Sequence, residues 1–163
     1  MKRTAEPVRS FEDLYRADWA RIRRAVGFVV SERELARECV DQAMNQAYRR
    51  WSQVSAMGRP AGWVYRVAID EARIRGRRRP TDRDKQPRPL AAVPGVDDVA
   101  DPAIAAAIAR LPLDQRSVLV LRFYLDWSTE DVAEAIGVAV GKVDSRLHQA
   151  LRRLERSLQE AAA

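Results

Sequence analysis

Residues Ser128–Arg153 read STEDVAEAIGVAVGKVDSRLHQALRR, and the fold turns on this stretch. Ser128 stands where a helix N-cap accepts from the backbone, and Glu130 and Asp131 in the following turn complement the positive helix terminus. Val132, Ala133 and Ile136 supply a buried face. Gly137 follows at the position where a left-handed residue ends a helix, and Gly137–Val138–Ala139 makes a turn short enough to set two helices at a steep angle. A second helix is expected over Val140–Leu158. At about 100° per residue, Val140, Val143, Leu147, Ala150, Leu151 and Leu154 form one stripe, while Lys142, Ser145, Gln149, Arg152 and Arg156 lie nearly opposite.

The polar side of that helix carries donors of the kind that phosphates and base edges in a major groove accept. The spacing therefore predicts a DNA-reading helix-turn-helix; the alternative is an ordinary helical hairpin with a solvated polar face. Asp144 flanks the apolar stripe and counts against DNA, because a carboxylate repels phosphate, although it can accept from a cytosine amino group. His148 is the single histidine. It can touch a phosphate or a base or stay a half-exposed polar residue, and with no cysteine or carboxylate cluster around it no metal site is expected.

Working outward, Asp101–Pro102 supplies an N-cap followed by proline at the first helical position, so Ala103–Arg110 reads as a short helix that Pro112 stops. Gln115–Tyr124 is strongly apolar and reads as a buried helix. Residues 80–102 contain five prolines, scattered charges and no sustained apolar period, which predicts a linker that lets two halves reorient. Before it, Phe11–Val30 carries Leu14, Tyr15, Ile22, Val26 and Val29 at helical spacing. Ser31 with Glu34 makes a capping-box pattern for a second helix over Glu32–Trp51. The residues SQVSAMGRP break the period, and a third helix should start near Ala61 with Trp63, Val67 and Ile74 on one side and Arg66, Arg73, Arg77 and Arg78 on the others. The expectation is an all-α chain of two small helical bundles joined by a flexible linker.

Composition narrows the function. With 47% hydrophobic and 32% charged residues the 163-residue chain can bury cores, and its net charge of +6 suggests a polyanionic partner, nucleic acid before an anionic membrane. The charge is uneven. Residues 1–100 hold 21 Lys and Arg against 14 Asp and Glu, a net +7, whereas residues 101–163 hold 8 against 9, a net −1. The helix-turn-helix thus lies in a near-neutral segment and should bind DNA modestly by itself. Cys39 is the single cysteine, so no intramolecular disulfide forms; its expected role is a small apolar helix residue, with redox sensing the alternative. No apolar run suits a membrane span, and a cytoplasmic protein with no membrane insertion is expected. No phosphate-binding glycine loop, nucleophile with paired base or ligand cluster appears, so no enzyme, catalytic residue, cofactor or metal is expected.

The stretch Ala109–Leu154, ARLPLDQRSVLVLRFYLDWSTEDVAEAIGVAVGKVDSRLHQALRRL, resembles the promoter-binding sigma-four domain of extracytoplasmic-function (ECF) sigma factors of the sigma-70 family. Phe11–Arg79, with FEDLYR, RECVDQAMNQAYRRW and RPAGWVYRVA, resembles their sigma-two domain. The resemblance implies sigma-two over residues 8–79, a flexible linker over 80–101 and sigma-four over 102–160. It implies a factor that binds core RNA polymerase, delivers it to promoter DNA and helps open the duplex, often under control of an anti-sigma protein. Glu38, Asp41, Gln42, Asn45 and Gln46 would face the polymerase clamp helices, and sigma-four would pack on the flap. Lys142, Ser145, Arg146, His148, Gln149 and Arg152 would read the upstream element. Arg59, Trp63, Arg66, Asp70, Arg73, Arg77 and Arg78 would serve the downstream element, with Trp51, Trp63 and Tyr65 near enough to stack on an extruded base; core packing is the alternative for the aromatics, and the favoured one for Trp63, and a solvated face leading into the linker is the alternative for the arginine run.

Some positions depart from the family. Glu38–Met44 read ECVDQAM where Asp-Leu-Val-Gln-Glu-Ala-Phe is common, which rearranges the polymerase-facing charges. Ile69–Asp70 replace Arg-Asn, and Lys142–Arg146 read KVDSR where Thr-Val-Lys-Ser-Arg is usual, so an unusual promoter preference is expected. A stand-alone helix-turn-helix regulator, or a sigma-like adaptor that binds polymerase without normal promoter reading, remain the competing functions.

Overall fold

The computed structural model describes residues 10–78 and 101–163. These form eight α-helices and a π-helical turn, with no strand among the described residues. The expected linker lies outside them up to residue 100, as do residues 8, 9 and 79 of the expected first domain.

Helix α1 spans Phe11–Val30, started by the Ser10 hydroxyl, which accepts from the Asp13 amide, and ended by Ser31 at φ 56°. The expected capping box is corrected here: α2 (Arg33–Arg49) has Glu32 as N-cap with no side-chain bond. Ser31 is instead spent as the left-handed cap of α1, and its hydroxyl accepts from Arg116 at 2.9 Å. Helix α2 also stops before Trp51, which opens a single turn, α3 (Trp51–Val54). Helix α4 spans Pro60–Arg78, its proline harmless at a position whose N–H would have no helical partner.

Leu14, Ile22, Val26 and Val29 of α1, Val40, Ala43 and Ala47 of α2, and Val64, Tyr65, Ala68 and Ala72 of α4 are fully buried together. The packed face of α4 therefore differs from the expected Trp63, Val67, Ile74 side. Ile74 is 45% exposed, while Trp63 and Val67 are only half-buried. Alanines at 61, 68 and 72 let α4 approach neighbours on two sides, which no single stripe of large residues could do.

In the second half, Asp101 caps α5 (Pro102–Ala109) by accepting from the Ala103 amide at 2.8 Å. The expected helix over Gln115–Tyr124 is split into α6 (Leu113–Leu119) and a π-helical turn over Val120–Tyr124. The Leu125 amide donates to the Val120 carbonyl, and Trp127 to Leu121, both at 3.1 Å. Helices α7 (Thr129–Ile136) and α8 (Val140–Ala162) flank Gly137 at φ 70°. Of the expected α8 stripe, Val143 and Ala150 are buried and Leu147 and Leu154 partly so, but Val140 and Leu151 are 41% and 43% exposed.

The two halves pack against each other in this arrangement. One continuous apolar core runs through both, with α4 against α7 and α1 against α6 and the π-turn. The Tyr65 and Ser117 hydroxyls are hydrogen-bonded across the junction, and Phe28 meets Tyr124 edge-on at 5.1 Å. The Arg116 guanidinium pins the junction, donating to Val29 O (2.7 Å) and Ser31 Oγ (2.9 Å) of the first half and to Ala109 O and Leu111 O (both 2.8 Å) of the second. Burial lowers its pKa from the usual arginine value. No described helix is long and apolar enough to cross a membrane.

Candidate nucleic-acid interface

Helix α7 is a short scaffold held at both ends. The Ser128 hydroxyl accepts from the Asp131 amide at 3.1 Å, and Gly137 in the left-handed region closes it, its amide donating to Ala133 O. Val132, Ala133 and Ala135 bury its inner face. Helix α8 then leaves the turn anchored by Val143, and this anchor turns Lys142, Ser145, His148, Gln149 and Arg152 to solvent. Gln149 Oε1 accepts from Gln115 Nε2 at 3.3 Å. Asp144 is exposed as well.

Arg146 differs from the rest of the set. Its side chain retains 23% exposure and lies 3.9 Å from Asp114. It lines a cavity of about 320 Å³ between the halves, shared with Tyr65, Arg66, Asp70, Arg73 and Ser117. The structure thus brings Arg66, Asp70 and Arg73, expected at the downstream element, against a residue expected at the upstream one. Arg73 Nη2 donates to Asp114 Oδ1 at 3.0 Å, and the Arg66 guanidinium lies so close to Gly137 that a Cβ there would meet it at 3.1 Å.

Arg59, ahead of α4, pairs with Asp131 at 2.5 Å and stacks over Trp127, 5.0 Å from the ring centre. Burial pushes the Asp131 carboxyl up, but hydrogen bonds from Arg59 and Ser128 and the Arg59 charge outweigh it and hold the pKa below the usual carboxylate value. Trp63 packs partly against the core. Tyr65, expected to be available for base stacking, is 1% exposed here, and burial holds its phenol proton well above the usual tyrosine range. Trp51 is half-buried against Phe11 at 5.9 Å. Arg77 and Arg78 belong to the last turn of α4, and their side chains lie outside the described residues.

The α2 residues expected to face polymerase share one side of the helix. Glu38, Asp41 and Asn45 are exposed, and Gln42 and Gln46 half-buried. Neighbouring helices orient three of them. Trp19 Nε1 donates to Asp41 at 2.9 Å. Arg75 donates to Glu38 at 3.1 Å, to Gln42, and to Glu71 at 2.9 Å; the bond to Glu71 raises the pKa of its guanidinium further. The sequence reading missed Trp19 and Arg75 as orienting groups, and Asp114, Arg116, Ser117 and Asp131 as junction residues. Arg116 and Ser117, polar residues inside an apolar run, were the available signal. Cys39 is buried in α2.

Comparison with known proteins agrees with this architecture. The family described as "Sigma-70, region 4" matches residues 102–154. The ECF RNA polymerase sigma factor SigL of Mycobacterium tuberculosis is 35% identical over 133 residues, covering 77% of this chain and 75% of that protein. The RNA polymerase sigma-E factor of Streptomyces avermitilis is 30% identical over 155 residues, covering 93% of this chain and 87% of that protein. The sigma factor RpoE of Bartonella quintana, solved in complex with the anti-sigma factor NepR, superposes with a TM-score of 0.69 at 19% identity, covering 91% of this chain and 96% of that one, and shares the fold. Sequence likeness extends through both helical halves, and the capped α7, the left-handed Gly137 and the polar ridge of α8 occupy the segment that the region 4 family matches: the chain belongs to the ECF RNA polymerase sigma factors.

Proposed function

We propose that this chain binds core RNA polymerase in the cytoplasm and directs it to a set of promoters, contributing binding and duplex opening and no bond chemistry of its own. The carrying observation is the exposed ridge Lys142, Ser145, Gln149 and Arg152 on a helix whose entry angle Gly137 sets, a geometry suited to a major groove. Residues 102–160 read the upstream element on this account. Residues 8–79 hold the polymerase clamp through Glu38, Asp41, Gln42, Asn45 and Gln46, and use Arg59, Arg66, Arg73, Arg77 and Arg78 at the downstream element. The pre-oriented Asp41 and Glu38 support the clamp assignment, since side chains already fixed lose less freedom on docking. An anti-sigma protein is a further partner on this reading, as RpoE has in NepR.

Pull-down of core polymerase followed by run-off transcription tests the proposal. The chain should convert core enzyme into one that starts at discrete sites, and Arg146→Ala should lower promoter-dependent transcripts at least fivefold with core binding intact. Absence of core binding would overturn the proposal; equal loss of both activities in Arg146→Ala would remove that residue from the DNA contacts.

A further inference from the structure

We propose that the groove between α1 and α2 is a phosphate site for the backbone of nucleic acid, separate from both promoter-reading sets. A cavity of about 60 Å³ opens there, lined from α1 and α2 alone. Four guanidinium groups converge on it, Arg23 and Arg24 from α1 and Arg33 and Arg37 from α2. Against them stands one carboxylate, Glu34, so four positive charges and one negative leave a net +3 on the rim. The small buried residues Gly27 and Ala36 leave the room for it. Space for roughly two to four waters suits one tetrahedral oxyanion and is too little for a nucleoside.

Stability alone does not account for this arrangement. Arg33 and Arg37 stand at i, i+4 on one helix, where like charges repel, and Arg23 and Arg24 meet them across the groove. The ion pairs among the described residues, on Arg59, Arg73, Arg75 and Arg146, involve none of the residues that line it. Arg24, Arg33 and Arg37 are exposed and keep donors for a ligand. Arg23 is steadied over Trp19, 4.6 Å from the ring centre, and a side chain already placed loses less freedom on binding. Guanidinium groups meet phosphate oxygens with paired donors, and an anion among four of them relieves their repulsion. A pocket of this size takes a phosphate and no base, so the contact is independent of sequence. The choice of nucleic acid among phosphate carriers rests on the proposed function; the affinity for an oxyanion does not.

The test compares Arg24→Gln/Arg37→Gln with Arg16→Gln/Arg49→Gln, an equal charge change at exposed positions of the same two helices outside the groove. The full chain is first titrated with inorganic phosphate at constant ionic strength while arginine Nε–Hε signals are followed by NMR. Those of Arg23, Arg24, Arg33 and Arg37 should move saturably, and those of Arg16 and Arg49 should stay. Binding to a short duplex without promoter elements is then read by fluorescence anisotropy across a salt series. The groove variant should lose about one unit of salt slope, since each neutralised phosphate contributes about 0.9. With the contact worth nothing near 1 M salt, that slope means affinity lower by roughly fifteenfold at 0.05 M and roughly fivefold at 0.15 M. The control should keep its slope and weaken less than twofold. Equal losses in the two variants, an unchanged slope in the groove variant, or no saturable shift with inorganic phosphate would overturn the proposal. Vesicles of phosphatidylglycerol and phosphatidylcholine supply a lipid arm: vesicle binding lost in the groove variant with its duplex slope intact would assign the groove to headgroups and overturn it too. If run-off transcription shows no promoter-specific starts and the groove variant still loses its slope, the proposed function has failed and the phosphate site stands.

Discussion

Replacing Arg116 by Met keeps the aliphatic stem and removes every donor. Four acceptors lose their partner: Val29 O and Ser31 Oγ on one side of the junction, Ala109 O and Leu111 O on the other, at 2.7–2.9 Å. A hydrogen bond to a charged group contributes about 1.5–3 kcal/mol net. The four are not additive, since one cation serves them all and water can reach part of the vacated site. Two bonds at the lower figure give a loss of roughly 3 kcal/mol. For a chain of this size that corresponds to a fall in Tm of roughly 6–12 °C. Urea unfolding followed by circular dichroism should show an earlier midpoint with an unchanged slope, the mark of altered stability without an altered denatured state. Ser31→Ala, which removes one neutral acceptor, should cost about 1 kcal/mol or less. A loss below about 1 kcal/mol for Arg116→Met would refute the view that this guanidinium pins the junction.

Three further outcomes are expected. Gly137→Ala forces a Cβ into the left-handed region and to 3.1 Å from the Arg66 guanidinium, and should destabilise by about 1–2 kcal/mol in the same assay; a neutral effect would mean the turn relaxes freely. Arg59→Ala removes the group that most lowers the Asp131 pKa, so the Asp131 carboxyl should titrate at higher pH by NMR. The lowered native pKa means that Asp131 stabilises the folded chain above the ordinary carboxylate value of about 3.9 and that this contribution is lost as pH falls through the native pKa; in Arg59→Ala that loss should shrink. Tyr65→Phe and Ser117→Ala each break the buried hydroxyl pair and should each cost about 1 kcal/mol. Combined, they should cost clearly less than the sum, and strict additivity would show that the two hydroxyls do not act together.

The helix-turn-helix was legible because its signals are local. Ser128, Gly137 and the apolar period of α8 each act within a few residues, and the caps and turn form where those residues stand. Asp101–Pro102 worked for the same reason. The capping box at Ser31 failed because a residue 85 positions away competes for its hydroxyl, and no local pattern contains that competitor. The packed face of α4 was misread for a related cause. Tyr65 and Ile69 are buried where the second half meets the helix, whereas the sequence reading assigned α4 only its own bundle. The π-turn over Val120–Tyr124 carries no Gly or Pro to announce it. The candidate site residues were named from motif position, but the pairing of Arg59 and Arg73 with carboxylates of the second half depends on how the two halves pack together.

The uneven charge acquires a physical meaning from that packing. A second half with a net charge of −1 is a poor magnet for DNA, and the same near-neutrality lets it lie against the arginine-bearing α4 without repulsion. Had residues 101–163 carried the cationic excess usual for an independent DNA-binding module, Arg66 and Arg73 would face further positive charge across the cavity. Asp114 and Asp131 at the junction complement Arg73 and Arg59 of the first half. On the proposed function, weak DNA binding by the free chain is then no defect. Polymerase would hold both halves near one promoter, where tethering raises the effective concentration of each for its element.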